Sequence, residues 1–137
     1  MVMWTNKQRN EWTRKWRKKN GNASTNKYEK TRKGFLMRKY RNMQSRVLGI
    51  QKLKAHLYKG LYLLSREDFY NWSYNHAEFL KLFVKWRNSG YDRKLCPTVD
   101  RVDPSKGYEL GNMEWVTHSE NSRRGSIHQQ QMNKLKI

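Results

Sequence analysis

Residues 1–59 carry 18 Lys and Arg against two acids, Glu11 and Glu29. No other feature limits the fold as strongly. A net +16 on this stretch cannot enter a core, because unpaired buried charge is too costly, so most of the N-terminal half must stay at a surface. Residues 60–137 hold 12 basic and nine acidic residues, a net +3, which completes the chain's +19. Asymmetry of this size reads as a basic arm joined to a more balanced module. The fitting partner is a polyanion, and nucleic acid fits best, since each phosphate neutralised by Lys or Arg releases counterions. A solvated basic tail or a membrane-surface patch is the blander alternative.

Hydrophobic residues make up only 36% of the 137, so the core must be small. Six Trp, eight Tyr and four Phe nevertheless argue against full disorder. The single cysteine, Cys96, excludes an internal disulfide and a multi-cysteine zinc cluster, so no structural zinc is expected. No apolar run approaches the roughly 18 residues of a membrane helix, and the N-terminus has no apolar signal segment. The expectation is a cytoplasmic, non-secreted protein with no membrane partner. Oligomeric state leaves no mark in the sequence.

Residues 4–19 have helix-forming composition, with Trp12 and Trp16 four apart on one face. These tryptophans are expected to dock on the body while the basic faces lie on DNA; the alternative is a tail that orders only on binding. A second helix is predicted over 34–48, with Leu36, Tyr40, Met43 and Val47 forming an apolar stripe. Its basic residues Arg38, Lys39, Arg41 and Arg46 are candidate nucleic-acid contacts. Residues 50–64 are ambiguous. Ser65 caps a further helix, and another over 76–88 places Phe79, Leu80, Phe83 and Trp86 in the core, stopping at Ser89-Gly90.

From Cys96 the pattern changes. Residues 97–102 and 113–116 alternate as strands around a turn-rich loop, Pro104 to Gly111. Thr117 to Glu120 form a capping box, predicting a helix through Arg124 that ends at Gly125, followed by a tail that frays. The fold class expected is α+β: a mostly helical body with a basic N-terminal helical arm and a C-terminal strand–loop–strand–helix unit. The expected divisions are 1–33, 34–92, 93–126 and 127–137.

A ββα unit can hold a divalent cation between an acid on its first strand and a side chain on its helix. Asp100 is the natural oxygen ligand and Asn121 the partner facing it. The stretch Asp100-Arg101-Val102-Asp103, then Asn112-Met113-Glu114-Trp115, Thr117 and Glu120-Asn121, resembles the HNH nuclease motif of the His-Me finger, or ββα-metal, group. More narrowly it is similar to phage HNH homing-endonuclease-like proteins. The resemblance implies a DNA endonuclease working with one Mg2+ or Mn2+ in the host cytoplasm. It implies metal binding by Asp100 and Asn121 and a loop-bracing role for Asn112. It also implies a finger helix whose Arg123 and Arg124, with Lys94 and Lys106 nearby, contact phosphates. Asp103 is either a further support for the metal ligands or a turn residue.

The sequence departs from that family at one position. Arg101 replaces the first-strand histidine that serves as general base, and an arginine keeps its proton at neutral pH. Three readings stay open. His118 supplies the base from the helix start; Arg101 binds the scissile phosphate while water attacks without a protein base; or the site is degenerate and the protein only binds DNA or RNA. A histone-like packaging role is a weaker alternative. Duplex DNA is the expected partner, with RNA possible.

Overall fold

The computed structural model describes residues 3–21 and 23–135. Among them are seven α-helices, two short 3-10 turns and one two-stranded antiparallel sheet, a mostly helical α+β structure. No described helix is long and apolar enough to cross a membrane.

Helix α1 (Asn6–Asn20) begins at a reciprocal cap: Gln8 N–H donates to the Thr5 hydroxyl, and Thr5 N–H donates to the Gln8 side chain. Helix α2 (Ala23–Glu29) leads to Thr31, which caps α3 (Arg32–Val47) by accepting from Gly34 N–H at 3.1 Å. That cap starts α3 two residues before the expected position, so a division after residue 33 falls inside the helix. The predicted stripe holds: Leu36, Tyr40 and Met43 are buried, joined by Phe35, with Val47 half-buried beside them.

The ambiguous stretch 50–64 becomes a 3-10 turn (Lys52–Lys54), a short helix α4 (Ala55–Tyr58) and an isolated parallel bridge from Leu63 to Tyr108. Leu64 N–H donates to Tyr108 C=O at 2.9 Å, and Tyr108 N–H donates to Tyr62 C=O at 2.7 Å. This bridge ties the strand-connecting loop to the helical body. It also requires glycine at 107, where a Cβ would lie 2.1 Å from the Tyr62 carbonyl oxygen.

Helix α5 (Arg66–Tyr74) is capped by Ser65, as predicted, and α6 (Ala77–Asn88) buries Phe79, Phe83 and Trp86. Leu82 rather than Leu80 completes the buried face; Leu80 is only half-buried. The core is built from rings. Phe35 lies 5.0 Å from Trp86 and Phe79 lies 4.6 Å from Trp115, centre to centre. Each such pair adds about 0.5–1.5 kcal/mol to its burial. Large rings explain how a chain this poor in hydrophobic residues closes a core.

Strands β1 (Pro97–Arg101) and β2 (Met113–Thr117) pair with Asp100 opposite Glu114 and Val99 opposite Trp115. Because side chains alternate across a strand, Val99, Arg101, Met113 and Trp115 face the helical body, while Thr98, Asp100, Glu114 and Val116 face outward. Helix α7 (His118–Leu135) then covers this outer face. It does not stop at Gly125. That glycine lacks the positive φ of a helix stop and sits mid-helix, where it costs only about 1 kcal/mol relative to alanine. Residues 127–135, expected to fray, are the last turns of α7.

Candidate functional site

The seam between α7 and the sheet is polar. No residue of α7 is buried. Its half-buried positions, His118, Glu120, Asn121 and Arg124, follow helical spacing and form one face. Arg124 is the hub of that face. Its Nη1 donates to Asp100 Oδ2 at 2.9 Å and to Glu114 Oε1, while its Nε donates to Glu120 Oε1 at 3.0 Å. The Asp100 carboxylate first, then Glu114 and Glu120, raise the Arg124 pKa above its ordinary value. Asn121 lies three residues before Arg124, on the half-buried face of α7 from which Arg124 reaches Asp100. Glu114 belongs to the seam too, and sequence reasoning passed over it. Its cross-strand pairing with Asp100 is the signal that could have found it.

Glu120 is doubly paired, since Arg123 also donates to it through Nε at 2.9 Å and Nη2 at 2.6 Å. Arg123 first and then Arg124 hold the Glu120 carboxyl down at about 2. Its contribution to stability is thus complete above the ordinary glutamate value of about 4 and is lost as pH falls toward about 2. The stability gap between wild type and Glu120→Gln is expected to be full at pH 7. It should close across that acid window in unfolding followed by circular dichroism; a gap independent of pH would refute the pairing.

Asn112 is buried and braces the loop between the strands. Its Oδ1 accepts from Asp103 N–H at 2.8 Å, and its Nδ2 donates to Asp103 C=O at 3.2 Å and Gly107 C=O at 2.8 Å. Asp103 points elsewhere. Its Oδ1 accepts from Ser105 N–H at 2.9 Å and Ser105 hydroxyl at 2.7 Å, bonds that lower its pKa. It is a turn residue and not a support for metal ligands.

Arg101 is not on the Asp100 side. It faces inward, is 8% exposed, and its Nη1 donates to the carbonyls of Pro104 (2.9 Å), Leu57 (3.1 Å) and Lys106 (3.1 Å). The guanidinium carbon lies 4.1 Å from the centre of the Tyr58 ring, which stacks on Tyr108 at 6.0 Å. A side chain committed to three backbone oxygens and a ring has no free donor edge on that nitrogen for a phosphate. The reading of Arg101 as a phosphate ligand is corrected accordingly: it joins α4 to the strand loop.

The other basic candidates divide. Arg46 donates to the Tyr108 hydroxyl at 3.1 Å and lies over Tyr58, so it faces inward. Arg38 is ion-paired with Glu29. Lys39 is half-buried over the Phe35 ring, and burial lowers its pKa. Arg41, Lys94 and Lys106 have exposed side chains. His118 is half-buried at the first position of α7, where its backbone N–H donates to Cys96 C=O at 2.8 Å. The expected docking of Trp12 and Trp16 on the body does not occur: they are 53% and 42% exposed.

The seam suits a hard cation in donor chemistry. Asp100 and Glu114 both accept from Arg124 Nη1, and Asn121 shares the helix face of Arg124; no thiolate takes part. Among the described residues no three His, Cys, Asp or Glu side chains converge as a metal cluster. A Mg2+ ion, which keeps several waters and uses one or two carboxylates, does not require one. Comparison with known protein families, with curated proteins and with solved structures finds no match to this chain.

Proposed function

We propose that the chain is an HNH-type DNA endonuclease. In this reading β1, β2 and α7 form the ββα-metal finger, and Asp100 and Asn121 hold one Mg2+ or Mn2+. The observation that carries the reading is the polar seam. Arg124 of α7 pairs there with Asp100 and Glu114, and Asn121 shares its half-buried helix face.

The bound cation would polarise the scissile phosphate and the leaving oxygen. Arg124, paired with Asp100, would share that carboxylate with the cation and, if released, would add positive charge beside the phosphate. Asn112 keeps the β1–β2 loop in register, so the Asp100 carboxylate stays on the outer face. Arg101 acts through the loop it pins. His118, one helical turn before Asn121, is the group on this face able to accept the proton of the attacking water.

A second reading, a DNA- or RNA-binding protein on the same scaffold without cleavage, is favoured by two observations. The position of the usual base is a buried clamp, and Arg124 occupies Asp100. Relaxation of supercoiled plasmid separates them. The endonuclease nicks with Mg2+ or Mn2+ and is silent in chelator. Failure under both metals, with binding that weakens steeply as salt rises, leaves the binding protein. Absence of any salt-sensitive binding contradicts both.

A further inference from the structure

We propose that α1 is a stacking platform for unpaired nucleotides. This rests on the polyanion partner argued above and not on the chemistry at Asp100. Helix α1 has seven Lys and Arg to one acid, Glu11, and none of its residues is buried. Two indoles nevertheless stand on it, Trp12 and Trp16, and a third, Trp4, precedes it. Trp4 folds back to 6.1 Å from Trp12, and Trp16 lies one turn further along. Their exposures, 49%, 53% and 42%, leave all three rings open to solvent. Arg9 is three residues before Trp12, and Lys19 three after Trp16, so a cation flanks that pair at each end.

Phosphate attraction alone explains the cations but gives no role to three exposed indoles, which are costly in water. A single-stranded nucleic acid uses both. Its phosphates pair with the flanking cations, and its unstacked bases lie on the ring faces. A paired duplex hides those base faces. A membrane surface is a poorer fit: interfacial helices carry a broad apolar face of Leu or Phe beside Trp, and α1 contains no Leu, Ile, Val or Phe. The platform would give the protein a preference for substrates with an unpaired stretch.

The test compares the full chain with Trp12→Ala/Trp16→Ala and with Trp12→Phe/Trp16→Phe. The ligands are an oligothymidylate of about 15 nucleotides, an abasic oligomer of equal charge, the corresponding duplex, and phosphatidylserine vesicles. Indole fluorescence of the wild type should be quenched by the oligothymidylate. The alanine variant should lose about 10-fold or more in affinity for it, because the rings on which the bases stack are gone. Affinity for the abasic oligomer should not change, and the phenylalanine variant should recover most of the loss. Because neither indole is buried, the thermal midpoint should stay constant. Equal loss on both oligomers, no loss on either, or tighter binding to duplex or vesicles overturns the platform. Failure of every nucleic acid to bind overturns the parent reading instead.

Discussion

Replacing Arg101 with Met should destabilise the protein by about 3 kcal/mol and leave the proposed binding to DNA nearly unchanged. The substitution keeps the length of the side chain but removes its donors. Three carbonyls, of Leu57, Pro104 and Lys106, then lose their partner in a site from which water is largely excluded, and Tyr58 loses its cation. A hydrogen bond to a charged group contributes about 1.5–3 kcal/mol, and one nitrogen sharing its two hydrogens among three acceptors makes the sum less than additive. The thermal midpoint should fall by roughly 10 °C. Arg101→Lys should recover only part of this, because an ammonium cannot lie flat on a ring while reaching several oxygens. Urea unfolding and a binding titration on uncut DNA distinguish the alternatives. An arginine that served the phosphate would give the reverse pattern, with stability unchanged and the salt slope reduced by about one.

On the proposed endonuclease reading, Asp100→Ala should slow plasmid relaxation by at least about 100-fold while leaving binding to uncleaved DNA within about twofold. The expectation follows from the number of kcal/mol a cation contributes to transition-state charge, since about 2.7 kcal/mol is a hundredfold in rate. Asn121→Ala should lose less, because an amide oxygen contributes no charge. Asp100→Asn keeps the shape and a bond to Arg124, so it separates loss of a ligand from collapse of the seam. If Asp100→Asn and Asp100→Ala both relax plasmid at the wild-type rate, the cutting activity does not reside at this carboxylate.

Local signals carried much of the architecture. The Ser65 cap, the aromatic spacing of α6 and the alternation on either side of Pro104 to Gly111 appear where hydrogen bonding and burial place them. The bracing contacts of Asn112 stay within nine residues, yet the resemblance to the HNH motif, not a local signal, pointed to them. What the sequence hid depends on distant partners. Alternation along β1 puts Arg101 opposite Asp100, yet its Leu57 acceptor is 44 residues away, on a stretch with no clear periodicity. Arg124 and Glu120 are a visible helical pair, but the bond to Asp100 spans 24 residues. Gly125 resembled a helix stop because composition cannot reveal the sign of φ. Trp12 and Trp16 were readable as one face, but spacing does not tell whether a face meets the body or solvent.

Titrating Mn2+ into isotope-labelled protein and following paramagnetic broadening tests the proposed centre most directly. One cation shared by Asp100 and Asn121 should broaden the amide signals of Asp100, Glu114 and Asn121 first. The Arg124 side-chain signal should shift as its carboxylates are drawn away. Broadening that begins at another acidic cluster, such as Glu67 and Asp68, or that spreads evenly with no site, would contradict a metal centre between β1 and α7.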